Sequence, residues 1–276
     1  MRRPSDQKAK EPESAGGTVR FILIVMAAAW LFRSLLFTPF SIPSGSMLPS
    51  LYIGDYLVVS KWPYGYSRYS FPFAFPPFPG RILPKLPERG DVVVFSSPSG
   101  SGEDLIKRVI GLPGDTIELR DGHVVLNNRP LGRSAERPVE IPLSANSPCR
   151  RITGPGTASI TTDGATCAYP SYRETLPNGV SYRVIDQVDN PIADTFGPVT
   201  VPAGHLFMMG DNRDDSLDSR YEQATGGVGF LPLDHVVGRA AVTFWSTDGT
   251  ASYFKPWTWF IAMRSERFGN DYTEAR

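Results

Sequence analysis

The hydrophobic positions of this chain fall into two regimes. Residues 19–37 read VRFILIVMAAAWLFRSLLF, and 21–32 is an unbroken apolar run. Beyond it, apolar residues come in short β-branched runs at 55–60, 91–96, 105–110, 116–120, 123–127, 180–188, 205–209 and 235–244. Each run is bounded by Gly, Pro, Asn or Asp, the residues that punctuate strands. No long amphipathic helix follows the first segment. The pattern predicts one apolar helix over 19–37 and a mainly β, mostly antiparallel body after it.

A membrane-spanning helix needs about 20 predominantly apolar residues. Segment 19–37 meets this narrowly, with Arg33 near the far end, where its long stem can reach the interface. Arg2, Arg3, Lys8, Lys10 and Arg20 precede the apolar run, whereas 34–54 carries no charge. By the positive-inside rule the N-terminus stays in the cytoplasm and everything after Phe37 is exported, in a single pass. The competing reading is a cleaved signal peptide, which usually has an apolar region of about 7–15 residues and a small-residue cleavage site. The run into Thr38-Pro39-Phe40 lacks such a site. Residues 1–18 read as a polar, disordered cytoplasmic tail. In an oxidising exported compartment Cys149 and Cys167 could pair, or remain two independent thiols.

Composition narrows the function classes. With 28 basic and 28 acidic side chains the formal net charge is zero, so bulk electrostatics gives no reason to expect a nucleic-acid partner. Two cysteines exclude a disulfide scaffold and a four-cysteine zinc site. The 26 glycines and 26 prolines imply frequent turns. Residues 128–200, rich in Pro, Ser, Thr and Gly and holding both cysteines, read as a subdomain inserted into the surrounding sheet. Residues 64–79, YGYSRYSFPFAFPPFP, carry too much proline for a central strand. Such an aromatic loop fits the headgroup level of a membrane or a cover over the protein's own core.

Several possible sites have little behind them. His123, His205 and His235 are scattered, and neither G-x-S-x-G nor H-E-x-x-H occurs. Asp211, Asp214, Asp215 and Asp218 cluster, but without the Gly and Glu spacing of an EF-hand loop, so no metal is expected. Ser252 and Lys255 satisfy S-x-x-K without its companion motifs. Segment 42–54 differs: Pro43, Gly45 and Pro49 fix an irregular backbone around the hydroxyls of Ser44 and Ser46. On a strand, Lys107 shares a face with Leu105 and Val109. Burial there would lower its pKa and allow a neutral amine to take a proton from a serine. An exposed lysine on an edge strand has the same sequence signature. Arg108, alternating with Ile106 and Ile110, shows that the pattern alone does not prove burial.

Taken together, these segments resemble type I signal peptidase, the bacterial leader peptidase. The resemblance rests on 43–50 (PSGSMLPS), on Gly54-Asp55-Tyr56 through 61–65 (KWPYG), on 89–95 (RGDVVVF) with 106–115 (IKRVIGLPGD), and on 210–220 (GDNRDDSLDSR) followed by Val237-Gly238-Arg239-Ala240. It implies a serine endopeptidase with Ser46 as nucleophile and Lys107 as general base. Ser44 and the Ser46 N–H would form the oxyanion hole. Ser216 would orient the Lys107 amine, and Asp218 with Arg220 would support the site. Ile42, Met47 and Leu105 would line pockets for small side chains, of the Ala-x-Ala type. No cofactor and no metal is implied. The implied substrates are exported preproteins with N-terminal signal peptides, met at the bilayer of the bacterial inner membrane with the catalytic domain on the periplasmic side.

The implied fold is a transmembrane helix followed by an antiparallel β catalytic core with an inserted β subdomain. Its expected parts are a tail at 1–18, the helix at 19–37, a core at 38–127 and 201–262, the insert at 128–200 and a C-terminal tail at 263–276. The chain departs from the family pattern at 221–232 (YEQATGGVGFLP), a longer glycine-rich loop. Two other readings are a specialised Ser-Lys processing peptidase with narrow substrates and a non-catalytic, membrane-anchored domain that binds envelope proteins.

Overall fold

A computed structural model describes residues 15–152, 161–162, 165–252 and 254–273. Helix α1 spans Ala15–Leu35, so the expected bounds of 19–37 shift toward the N-terminus. Ala15, Gly16, Gly17 and Thr18 are small and uncharged, and they continue the helix into what was expected to be tail. Residues 1–14 of that tail lie outside the described residues. At the other end Pro39 has no N–H to give a helix, and Phe37 already begins the strand Phe37–Ser41. Segment Gly16–Leu35 is long and apolar enough to cross a membrane.

The body is built on a seven-stranded antiparallel sheet. Its order is Phe37–Ser41, Asp55–Ser60, Val236–Ser246, Val92–Ser96, Asp104–Gly111, His205–Met209 and Leu231–Pro232. The predicted runs at 55–60, 116–120 and 205–209 match strands residue for residue. The central strands are apolar on both faces. Val92, Val94 and Ile106 join one buried cluster with Ile42, Met47, Leu51 and Leu57, while Val93, Phe95 and Val109 join another with Leu206 and Met208. A strand buried on both faces lies inside the molecule, so Lys107 and Arg108 are buried too.

Within 128–200 the chain forms a second antiparallel sheet, in which Gly132–Pro142, Thr161–Thr162 and Ser181–Ile185 all pair with Thr166–Thr175. The ends of this segment belong elsewhere. Arg129–Pro130 pairs with His123–Leu126, and Phe196–Thr200 pairs with Thr116–Arg120. The expected boundary therefore cuts through a sheet, because a composition shift does not register hydrogen-bond partners. Cys149 and Cys167 form a disulfide.

The expected C-terminal tail is also packed over its described part. Tyr272 N–H donates to the Ala241 carbonyl, and Arg267 holds the buried Asp55 carboxylate at 2.6 Å. A charge on Asp55, wholly buried, needs such a partner.

A second buried pair joins the two sheets: Arg213 donates to both oxygens of Glu174, which are almost fully shielded from solvent. Glu174→Ala would leave the guanidinium uncompensated. Denaturant unfolding of that variant should show a loss of about 3–5 kcal/mol.

Candidate active site

Pro43 and Pro49 bracket a chain that cannot enter a regular element. The result is one 3-10 turn, Gly45–Met47, entered by Ser44 in extended conformation. Ile42 pairs its backbone with Asp55 and Gly54, which fixes the turn against the sheet. Met47 is wholly buried, and Ser46 is 6% exposed beside it. The middle of strand Asp104–Gly111 passes this turn.

There the Lys107 Nζ lies 2.6 Å from the Ser46 Oγ, and it also donates to the Ile106 carbonyl at 3.1 Å. These two residues are 61 positions apart in the chain. Burial lowers the Lys107 amine to about 8, against a smaller opposing pull from the carboxylates of Asp218, Asp211 and Asp215. An amine near 8 keeps a usable neutral fraction at neutral pH, and the neutral form can accept the serine proton. Ser44 Oγ lies 3.5 Å from Ser46 Oγ at the exposed mouth of the site.

Residues 210–220 close over the pair. Asn212 donates from its backbone to the Ser46 carbonyl and from Nδ2 to the Gly45 carbonyl, both at 3.0 Å. Asn212 was not singled out from sequence, and only its place beside Gly210 and Asp211 in the 210–220 motif hinted at it. Asp218 is wholly buried and bound by Arg220 at 2.9 Å. Burial pushes its carboxyl up, and the Arg220 guanidinium overcomes this to hold it below the usual carboxylate range. The Ser216 hydroxyl is buried but makes no hydrogen bond to the Lys107 amine.

The acidic cluster of 211–218 is taken up by protein partners. Asp211 pairs with Arg108, Asp215 with Arg150 and Asp218 with Arg220, while Asp214 accepts the N–H groups of Gln187 and Val188. Carboxylate oxygens of Asp186, Asp194 and Asp214 lie within 4.8 Å of one another, yet each has a donor from Arg133 or from the backbone. Ile42 and Met47 belong to one buried apolar cluster. Leu105 does not join them. It sits against Tyr64, Val93 and Phe95, and its neighbour Ile106 takes the place beside Met47.

Gly210 sets the closeness of this assembly. A Cβ built there would stand 2.3 Å from Ser216 Oγ and 2.5 Å from the Ser46 carbonyl oxygen. Gly210→Ala must therefore push the 210–220 segment away from the turn. A displacement of about 1 Å costs on the order of 10²-fold in reactivity. Covalent labelling of Ser46 by an electrophilic serine probe, followed by mass spectrometry, should slow by that factor while the circular dichroism spectrum stays unchanged.

Comparison with known proteins places the chain among relatives of one family. A family described as "Signal peptidase, peptidase S26" matches residues 16–245. The chain is 34% identical to Signal peptidase I of Rickettsia typhi over 267 residues, covering 90% of each chain. It is 36% identical to that of Rickettsia akari over 231 residues, covering 81% of this chain and 77% of the relative. With that of Rickettsia prowazekii it shares 32% over 296 residues, covering 99% and 98%. A crystal structure of a signal peptidase I from Enterococcus faecalis matches at 25% identity, over 57% of this chain and 98% of that one, with a TM-score of 0.30. The family match spans α1, the turn at Ser46, the strand of Lys107 and the 210–220 segment, and on that ground the chain belongs to the signal peptidase family, peptidase S26.

Proposed function

We propose that this signal peptidase is held in the membrane by α1 and removes signal peptides from exported preproteins with a Ser46–Lys107 dyad. The observation that carries this reading is the 2.6 Å contact between a buried amine and a buried hydroxyl. Neutral Lys107 takes the proton from Ser46 Oγ as that oxygen attacks the scissile carbonyl. The protonated amine then gives the proton to the leaving amino group, and the acyl-enzyme remains. Water, deprotonated by the same amine, releases the signal peptide and regenerates the serine. Asp218 and Arg220 balance one another, so neither adds a free charge beside the dyad.

Ser44 Oγ and the Ser46 N–H would donate to the oxyanion. Substrate would bind extended, with alternate side chains toward the wall of Ile42, Met47 and Ile106. That wall is already filled by packed side chains, so it favours small residues such as Ala before the cut. Location supports the same reading. Ser46 is eleven positions beyond Leu35, the last residue of α1, a reach of at most about 36 Å from the end of the helix. A preprotein whose signal helix lies in the same bilayer meets the site at raised effective concentration. The N-terminus would face the cytoplasm and the β body the periplasm, by the charge asymmetry around α1.

Purified Ser46→Ala should leave a preprotein uncut in a gel assay, and cleavage by that variant would end the proposal. Ser44→Ala should lower turnover by 10²–10³-fold, or about 3–4 kcal/mol of transition-state stabilisation. Because the proton acceptor is the neutral amine, kcat/KM should rise with pH through about 8 and level off above it. A flat profile from pH 6 to pH 9, on a peptide with no titrating group, would count against Lys107 as base.

A further inference from the structure

Three carboxylates act on the Lys107 amine, those of Asp218, Asp211 and Asp215, and Arg220 acts against them. Two of the three have buried cations: Arg220 for Asp218 and Arg108 for Asp211. The third does not. Arg150 meets Asp215 at 2.9 Å, and its side chain is 68% exposed against 15% for the carboxylate. An ion pair so open to solvent adds little to stability, so its place beside the site needs another account.

Asp215 stands against the catalytic turn. A Cβ built on Gly45 would come within 3.3 Å of its Oδ2. Burial pushes the Asp215 carboxyl up, and Arg150 and then Lys107 pull it down. The carboxylate thus answers to two cations, one in solvent and one buried. The other titratable group on this side is Tyr169, whose phenol feels Asp215, Arg150 and Arg151. Gly45, Asp215, Arg150 and Cys167 line one small cavity of about 40 Å³.

The residue before Arg150 keeps it there. Cys149 is bonded to Cys167, and Cys167 lies in the strand Thr166–Thr175, paired with Ile141. The Arg150 N–H donates to the hydroxyl of Tyr169, in the same strand, at 2.9 Å. Residues 143–149 form no strand of their own, so these two ties fix where the guanidinium can reach. A free surface arginine would lose conformational entropy in making this contact, and an anchored one loses less.

We infer that Arg150, held by the Cys149–Cys167 disulfide, is a positioning residue for catalysis: it offsets Asp215 beside the dyad and so extends the action of Lys107 as a base toward lower pH. This inference rests on the dyad proposed above. A bare carboxylate at 215 would favour the ammonium form of Lys107 and keep the amine protonated to higher pH. With Arg150 in place that pull is weakened.

The pH dependence of kcat/KM tests this, on full-length protein in detergent with a peptide that does not titrate. Arg150→Gln should move the rising limb up by roughly half a unit. At pH 7 that lowers kcat/KM about threefold, while the plateau above the limb stays unchanged. Arg150→Lys should keep the wild-type limb. Asp215→Asn should move the limb down, and adding Arg150→Gln to it should have no further effect. The double variant Cys149→Ser/Cys167→Ser should shift as Arg150→Gln does.

A limb unmoved by Arg150→Gln, beside a wild-type limb near 8, would overturn the inference and leave the dyad standing. A lowered plateau without a shift, the mark of a merely structural role, would overturn it too. A limb moved by Arg150→Gln but not by the cysteine variant would overturn the part given to the disulfide. A wild-type profile with no limb at all would overturn the dyad, and the inference with it. Most of the Arg150 side chain is in solvent, so its replacements should not unfold the chain, and an unchanged far-UV spectrum checks this.

Discussion

The proposed mechanism depends on keeping one amine out of water. Lys107 sits mid-strand in a sheet whose apolar side chains cover both faces, and that burial brings its pKa to about 8. Three carboxylates pull the other way. If they were free they would restore the charge and disable the amine as a base. The structure deals with each by giving it a cation of its own: Arg108 for Asp211, Arg150 for Asp215 and Arg220 for Asp218. The ion pairs around the site are therefore part of how the amine keeps a lowered pKa. Buried pairs contribute little net stability, which makes a role in tuning a neighbour the better explanation for keeping so many.

The same segment also fixes geometry. Residues 210–220 hold the Ser46 turn through Asn212 and allow close approach through Gly210. They bind the second sheet through Arg213–Glu174 and through Asp214. Movement of that sheet would reach the serine through one short loop. The second sheet and the turn at Ser46 are thus joined through residues 210–220, although they lie far apart in sequence.

Much of this was legible in the chain. Strands with β-branched runs and clean turn residues, such as 55–60 and 205–209, appeared where the pattern put them, whereas proline bracketing and strand alternation only marked Ser46 and Lys107 as candidates, and the resemblance to type I signal peptidase gave them their roles. What failed did so for physical reasons. The helix start was misplaced because Gly16 and Gly17 read as tail, and the boundary near 128 because pairing of 129–130 with 125–126 leaves no mark in composition. Residues 263–273 looked like a tail until Arg267 met the buried Asp55. Leu105 was placed on the wrong wall, since alternation tells which residues share a face but not which cluster that face meets. Ser216 was expected to orient the Lys107 amine, whose hydrogen bonds go to Ser46 and Ile106 instead. Asn212 was missed because its work is done partly by a backbone N–H, which every residue but proline owns.

A buried lysine dispenses with the orienting carboxylate that a histidine base requires. The imidazole of a triad must be turned to the right tautomer and its developing charge met by an acid. An amine has one nitrogen and no tautomer to choose, so burial, against the pull of the nearby carboxylates, sets its proton affinity, and its hydrogen bond to the Ile106 carbonyl helps to aim it. The cost is that catalysis needs a dry site, and an extended substrate lying over the exposed mouth at Ser44 would complete the seal. On the proposed reading, a base that works best when covered suits an enzyme whose substrates are held in the same bilayer as its own helix α1.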